Sequence, residues 1–256
     1  MMRFPTFRFR SGAVGAVLLA ALTAVGFALP RAAAQSAAPD YAALMAAPDR
    51  SDADRDADKR RDPVPFLQFA GLRPGMKVLD MGAGGGYSTE LDARAVGPSG
   101  VVYGQNPPDF GGRGKATFDA RLASPAMKNG VSLLRPFDDP VPADVHDLDV
   151  VTFLFFYHDT TYMQVDRAEM DRKLFAALKP GGVLVIADHA AKAGADIAVG
   201  KSLHRIDEAV VRRELEAAGF KLVAEGDFWH HPEDPRDFSS LKPTGPVDAF
   251  VLKFQK

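Results

Sequence analysis

The sequence contains no cysteine. Disulfide bonds and a lipid anchor on an N-terminal cysteine are therefore excluded. The chain also lacks internal repeats, long low-complexity tracts and a clustered basic face. Its longest basic run, Lys59-Arg60-Arg61, lies among acidic residues, namely Asp56, Asp58 and Asp62. Mixed charges of this kind predict a solvated helix face and not a surface for a phosphate backbone, so we expect no nucleic-acid partner.

The longest uncharged apolar run extends from Ala13 to Leu29 and follows three arginines. A basic start, an apolar middle and the small residues Ala32-Ala33-Ala34 are typical of a secretory signal peptide. We expect cleavage after Ala34, no stable membrane anchor in the product, and a periplasmic or secreted protein. A retained anchor is the alternative, although a run of about 17 residues is at the short end for a membrane span.

Cleavage would also change the charge of the protein. Residues 1–34 contain four arginines and no acidic residue, so their removal changes the formal net charge from −2 to −6. The remaining chain, residues 35–256, is long enough for one domain with a sizeable core. We predict a linker and helical extension over residues 35–62 and the main domain over residues 63–256.

Apolar runs and helical patterns alternate along the main domain. The predicted helices are 87–96, 164–178 and 207–218, and the predicted strands are 76–80, 101–104, 131–134, 149–156, 183–187, 221–228 and 247–254. This alternation predicts an α/β fold with a doubly wound sheet. Ligands of such sheets bind outside the carboxyl ends of the strands, at the point where the strand order reverses.

A glycine loop, Asp80-Met81-Gly82-Ala83-Gly84-Gly85-Gly86, joins the first predicted strand to a helix. Glycines at this place let the backbone N–H groups and the positive helix end approach a ligand. The dinucleotide-binding spacing G-x-G-x-x-G is not present, because Tyr87 lies where its last glycine would be, and an oxidoreductase is disfavoured. A glycine-rich turn without a ligand is the alternative.

The spacing D-x-G-x-G-x-G resembles motif I of the class I S-adenosylmethionine (SAM)-dependent methyltransferases. Leu178–Leu184 resembles the LKPGG turn before their fifth strand, Ala217–Phe220 the entry to their sixth strand, and Asp248–Phe254 their seventh strand. The resemblance extends from Asp49 to Lys256, and it is to the exported group of predicted bacterial methyltransferases. It implies a Rossmann-like seven-stranded sheet, mostly parallel with an antiparallel last strand, and SAM as the cofactor.

The resemblance also implies cofactor-binding residues. Gly82, Gly84 and Gly86 would cradle the methionine part of SAM, and Asp80 would face its amino group.

At the end of the second strand the family has an acid that binds the ribose hydroxyls, whereas this chain has Gln105 and Asn106. Their amide oxygens can accept the same bonds without charge assistance, which weakens them. Asp138, after the third strand, is the candidate for the acid near the adenine.

Polar residues follow two further strands, Tyr157-His158-Asp159 after the fourth and Asp188-His189 after the fifth. Carboxyl ends of neighbouring parallel strands open at one edge, so we predict that these side chains share a cleft with the glycine loop. Asp159, Asp188 and His189 are the candidate ligands for a divalent cation, Mg²⁺, Mn²⁺ or Zn²⁺. The placement is similar to that in catechol-type O-methyltransferases. The alternative is that these residues cap strand and helix ends.

His158 and Tyr157 are the candidate catalytic residues. An imidazole with an ordinary pKa suits proton removal at neutral pH, so His158 is the predicted general base. Tyr157 is expected to act beside it, to line the substrate pocket, or to pack in the core. His204 is interpreted as part of a helix cap or of the substrate pocket, and Trp229 as a lid over the sheet edge.

Together these features predict an enzyme that transfers a methyl group from SAM to a small molecule. The alternative is an exported, non-catalytic binding protein with a degenerate methyltransferase fold. The export signal and the amide at Gln105 favour the alternative.

Overall fold

The computed structural model of the protein describes residues 37–256. The predicted signal peptide, residues 1–34, lies outside the described residues. Among the described helices, none has both the length and the apolar character that crossing a membrane would require.

The described strands form one seven-stranded sheet. They are β1 (Lys77–Met81), β2 (Val101–Asn106), β3 (Gly130–Leu134), β4 (Leu148–Leu154), β5 (Leu178–His189), β6 (Lys221–Gly226) and β7 (Ala249–Gln255). Their order across the sheet is β3-β2-β1-β4-β5-β7-β6. The pairs among β1 to β5 are parallel, and β7 runs antiparallel between β5 and β6. The predicted doubly wound α/β fold is confirmed.

The helices of the described residues connect and cover these strands. They are α1 (Tyr41–Met45), α2 (Asp52–Arg61), α3 (Pro63–Ala70), α4 (Tyr87–Val96), α5 (Gly112–Leu122), α6 (Tyr157–Thr160), α7 (Arg167–Ala177), α8 (Val199–Leu203) and α9 (Glu208–Ala217), with a short 3-10 helix at Pro125–Met127. The sequence did not predict α6 and α8, which have four and five residues.

The central strands are buried on both faces. Val78 belongs to one apolar cluster and its neighbour Leu79 to the other, and the same alternation holds for Val150 and Val151. Successive side chains of a strand point to opposite faces, so each cluster lies on one side of the sheet. This explains the continuous apolar run of β4 in the sequence.

Two strand boundaries differ from the prediction. β4 ends at Leu154 and not at residue 156, because Phe155 takes a left-handed backbone with φ of 56° and α6 begins at Tyr157. β5 begins earlier than expected, at Leu178, and pairs there with Leu148 before an irregularity in the ladder.

The charged helix α2 is fixed to the domain by ion pairs. Arg50 and Asp54 are each only 5% exposed. Arg50 pairs with Asp58, whose Oδ1 accepts a hydrogen bond of 2.6 Å from the Tyr87 hydroxyl, and Asp54 pairs with Arg121. The predicted solvated face is confirmed for Lys59, Arg60 and Arg61, which are exposed, whereas Asp54 in the first turn of the helix is buried.

A buried tyrosine links α6 to α7 and α9. The Tyr157 hydroxyl lies 2.9 Å from Asp171 Oδ2 and 2.8 Å from Glu214 Oε2. A hydroxyl has a single hydrogen, so it cannot donate to both carboxylates at once. Asp171 is fully buried, and burial raises its pKa to about 7. A proton on Asp171 relieves the repulsion between the two acids.

We predict that Asp171 makes the stability of the fold depend on pH. Its pKa is 3.8 in an unperturbed chain and about 7 in the folded protein, so between these values the folded state binds more protons. The contribution of Asp171 to the free energy of unfolding is therefore largest near the lower value. It falls as the pH rises towards the upper one, by at most about 1.4 kcal/mol per pH unit. Asp171→Asn mimics the protonated acid and should remove this slope in urea titrations across that window.

Asp144→Asn is the matched control, because Asp144 is exposed, and it should keep the pH slope of the wild type. Parallel stability curves for Asp171→Asn and the wild type would contradict the assignment.

Candidate functional site

The glycine loop lies where the strand order reverses. β1 lies between β2 and β4 in the sheet. The connections that follow β1 and β4 therefore run in opposite directions and open a crevice between them. Gly82, Gly84 and Gly86 have φ of +64°, +55° and +82°, which side-chain-bearing residues adopt at a cost. α4 begins directly after the loop, and its first turn has N–H groups without intrahelical partners. These are the features of an anion- or carboxylate-binding loop.

Asp80 is buried beneath this loop and is 1% exposed. Its Oδ2 accepts hydrogen bonds from the hydroxyls of Ser88 (3.0 Å) and Thr89 (2.6 Å) at the start of α4. Burial raises the pKa of Asp80 to about 6, against the opposite effect of these hydroxyls. The predicted contact with the amino group of a ligand would therefore have to pass through the Ser88 hydroxyl.

The side chains of Gln105 and Asn106 hold the glycine loop. Gln105 Oε1 accepts from Gly82 N at 3.1 Å, and its Nε2 donates to the Arg135 carbonyl at 2.6 Å. Asn106 Oδ1 accepts from Gly84 N at 2.8 Å. Both amide oxygens thus already accept hydrogen bonds from loop N–H groups, so the predicted bonds to ribose hydroxyls would have to use their remaining acceptor capacity.

Aromatic rings occupy the next part of the crevice. A Cβ on Gly82 would lie 3.1 Å from the Phe156 ring, which stacks on Phe137 at 5.0 Å. Asp138, the predicted adenine-side acid, is half-buried, and its Oδ2 lies 3.5 Å from Asp166 N at the start of α7.

A cleft of about 820 Å³ opens beyond the carboxyl ends of β4 and β5, and its walls include aromatic, imidazole and guanidinium groups. They include Arg61, Phe155, His158, Asp159, His189, His204 and Trp229. The glycines of the loop do not line this cleft. Phe156 packs on Gly82, and Phe155, the residue before it, forms a wall of the cleft. A single cleft shared by the polar residues and the loop therefore stays a prediction.

His158 is held by two carboxylates. Its Nδ1 lies 2.7 Å from Asp188 Oδ1, its backbone N donates to Asp188 Oδ2 at 2.8 Å, and its Nε2 lies 3.2 Å from Asp159 Oδ1. Burial alone would lower the pKa of His158, but the bonds with Asp159 and Asp188 raise it to about 9. A ring that holds its proton at neutral pH cannot accept another, so these two carboxylates oppose the predicted role of His158 as a general base.

Two of the three predicted metal ligands do not face a shared ion. Asp188 is fully buried, and its oxygens accept from His158 and from the backbone N of His189 (2.7 Å). The His189 ring stacks on Phe155 at 4.7 Å, and burial lowers its pKa to about 4. The predicted metal-ligand set of Asp159, Asp188 and His189 is therefore corrected. The Asp188 oxygens already accept hydrogen bonds within the protein, and the His189 ring packs against Phe155.

Of the roles predicted for Tyr157, packing in the core fits the structure best, because the residue is fully buried and its hydroxyl bonds to Asp171 and Glu214. His204 is absent from the predicted ligands, yet its Nδ1 lies 3.3 Å from His158 Nε2. No spacing in the sequence relates residues this far apart.

Trp229 lines the cleft and stacks on Phe66 at 5.6 Å.

Parts of the chain are similar in sequence to known methyltransferases. Residues 63–106 match the family model of protein-L-isoaspartate(D-aspartate) O-methyltransferase. Protein-L-isoaspartate O-methyltransferase 1 of Arabidopsis thaliana is 33% identical over 116 residues, 45% of this chain and 46% of that protein. The ubiquinone/menaquinone biosynthesis C-methyltransferase UbiE of Ectopseudomonas mendocina is 30% identical over 47% of this chain and 44% of that protein. The chain thus matches less than half the length of these relatives.

Solved structures share the whole fold at low identity. A SAM-dependent methyltransferase from Aquifex aeolicus superposes with a TM-score of 0.56 and 20% identity, covering 76% of this chain and 89% of that one. An arsenic(III) S-adenosylmethionine methyltransferase from Chlamydomonas reinhardtii gives 0.57 and 18%, with 86% and 74% covered. The chain therefore has the fold of these SAM-dependent methyltransferases, and the segment that contains its glycine loop is similar in sequence to a methyltransferase family.

Proposed function

We propose that the protein is an exported enzyme that transfers a methyl group from SAM to a small molecule. The observation that carries the proposal is the loop of three left-handed glycines between β1 and α4, at the reversal point of the sheet. The similarity to methyltransferases over residues 63–106 supports it, because that segment contains this loop and the strands on either side.

The proposal that the methyl acceptor is a small molecule rests on the size and the lining of the cleft. A volume of about 820 Å³ is within the usual range for small-molecule sites, and the mixture of aromatic walls with a few polar groups is typical of them. Trp229 and Phe155 offer flat apolar surfaces, and Arg61 offers a positive charge. The relatives act on different acceptors by name, a protein isoaspartate and a quinone precursor, so they do not indicate one acceptor for this chain.

Methyl transfer needs in-line positioning of the acceptor and the sulfonium more than acid–base chemistry. A general base and a divalent cation are therefore not required for it. The proposed acceptor has to reach the glycine loop past Phe156, whose ring packs against Gly82.

A non-catalytic binding protein is the second candidate, and one observation favours it. Gln105 and Asn106 hold the N–H groups of Gly82 and Gly84, which leaves fewer loop groups for a cofactor. Restoring the family's acid would not simply repair the site, because Gln105 is fully buried and also donates to a carbonyl.

We expect SAM to bind through the glycine loop. A Cβ on Gly84 meets nothing closer than the Gly82 carbonyl at 3.9 Å, so a side chain there points into open space. Gly84→Leu should fill that space and leave no calorimetric signal for SAM or S-adenosylhomocysteine at up to about 1 mM. Gly71→Leu is the control, since Gly71 is also left-handed and open, and it lies before β1. Absence of SAM binding by the wild type would contradict both the cofactor and the enzyme.

SAM with a radiolabelled methyl group separates the two candidates. Incubated with a small-molecule extract of the producing cells, the enzyme should move label into the low-molecular-weight fraction. Label on proteins would contradict the small-molecule acceptor, and tight SAM binding without transfer would favour the binding protein.

Gln105→Glu should destabilise the fold. A glutamate cannot donate to the Arg135 carbonyl and would place a charge at a fully buried position. We expect a loss of about 1–3 kcal/mol in the free energy of unfolding from urea titration. Gln68→Glu makes the same chemical change at an exposed position and should stay within about 0.5 kcal/mol of the wild type. Equal effects of the two variants would show that the Gln105 amide does not hold the loop.

Export predicts a new N-terminus. Mass spectrometry of the native protein should find Gln35 as the first residue, in material recovered outside the cytoplasm, because the small residues before it suit signal peptidase. Intact Met1 on a protein recovered from the cytoplasm would contradict export.

A further inference from the structure

Three potential metal-donor atoms form a nearly equilateral triangle in the wall of the cleft. His158 Nε2 lies 3.2 Å from Asp159 Oδ1 and 3.3 Å from His204 Nδ1. The third side, from His204 Nδ1 to Asp159 Oδ1, is 3.3 Å. These three residues also form the one group of potential metal-binding side chains found among the described residues. Nitrogen and oxygen atoms so close together need hydrogen atoms or a metal ion between them.

The size of the triangle fits a tetrahedral metal. Zinc binds imidazole nitrogen and carboxylate oxygen at about 2.0–2.2 Å, and the edges of such a tetrahedron are about 3.3–3.6 Å. The observed edges therefore need only a small expansion to hold the ion. Two imidazoles and one carboxylate with a free fourth position are the ligand pattern of catalytic zinc sites.

The Asp188 carboxylate already orients His158, the most buried of the three donor residues. Asp188 Oδ1 lies 2.7 Å from His158 Nδ1, and Asp188 Oδ2 accepts from the backbone N of the same residue. A metal ion displaces one proton from the His158 ring, and with the remaining proton on Nδ1 the Nε2 atom presents its lone pair to the triangle. A carboxylate behind a metal-binding histidine is the usual way to fix the tautomer and raise the ligand's basicity.

The remaining ligands are held as well. His204 has a left-handed backbone with φ of 50°, a conformation that costs energy for a side-chain-bearing residue. Its carbonyl accepts from Ser240 Oγ at 2.8 Å, which ties it to the loop across the cleft. The Tyr162 hydroxyl donates to Asp159 Oδ1. Hydrogen bonds from Ser240 and Tyr162 therefore hold two of the three donor residues.

The open side of the triangle faces the cleft. The side chains of His158, Asp159 and His204 are 4%, 17% and 22% exposed, and all three line the cleft. A fourth ligand, water or an oxygen or nitrogen atom of a bound molecule, can approach from that side.

We propose that His158, Asp159 and His204 bind one Zn²⁺ ion, with Asp188 as a positioning residue behind His158. The two carboxylates balance the charge of the ion at the site. This metal centre does not depend on SAM binding, since no atom of the glycine loop takes part in it.

Metal titration of the protein as isolated from the producing cells tests the proposal. After treatment with a chelator, calorimetric titration with Zn²⁺ should show one ion per chain, and Co²⁺ should give the intense visible absorption of a four-coordinate site. His204→Gly removes one donor while glycine accepts the left-handed backbone, and it should abolish the Co²⁺ absorption. Asp188→Asn removes the carboxylate behind His158 and should weaken Zn²⁺ binding roughly 10–100-fold. It should not change the Co²⁺ spectrum, because the three donor atoms remain.

His231→Ala is the matched control, because His231 lines the same cleft but lies outside the triangle, and it should bind Zn²⁺ as the wild type does. Thermal unfolding of the metal-free proteins checks that each variant folds. Absence of a four-coordinate Co²⁺ spectrum in the wild type would overturn the proposal, as would a loss in His231→Ala equal to that in His204→Gly. Saturable binding with equal affinity in the wild type and His204→Gly would overturn it too.

Discussion

The parallel register of β1, β4 and β5 is the constraint on which both candidate sites depend. Met81 pairs with Phe153 and Leu154 with Ala187, so the chain leaves these strands at nearly the same level of the sheet. The residues that follow therefore meet at one edge. A one-residue slip in a strand buried on both faces would exchange its two apolar clusters and would also move Asp188 away from His158.

The buried polar groups at this edge form hydrogen bonds within the protein. Asp188 binds His158 and the next backbone N–H, and Gln105 and Asn106 bind the glycine loop. Burial makes an unpaired carboxylate or amide costly, so the folded chain satisfies each of them internally. The polar groups that remain for a ligand are those that also face the cleft, namely the donor triangle of His158, Asp159 and His204.

Much of the fold followed from patterns that are local in sequence. Alternating apolar runs and helices indicated the sheet, and the glycine spacing indicated the loop at its centre. The direction of Tyr157 could not be predicted in this way, because it begins a four-residue helix that the sequence does not announce. Neighbours on a helix point about 100° apart, so Tyr157 enters the core while His158 reaches the cleft. His204 reaches the same cleft only through a left-handed turn after α8.

Phe155 lies between the glycine loop, which belongs to the segment that the family model matches, and the histidine cleft, which lies outside that segment. The family match ends at Asn106, whereas the triangle and the aromatic walls come from residue 155 onward. A left-handed phenylalanine costs about 1–2 kcal/mol, and stacking on His189 at 4.7 Å and contact with Trp229 at 5.3 Å offset this cost. Because the strained backbone directs the ring into these contacts, the wall between the loop and the cleft is a built feature of the fold. A methyl acceptor bound in the cleft would have to pass this wall to reach the glycine loop, so methyl transfer between the two sites requires Phe155 or Phe156 to move.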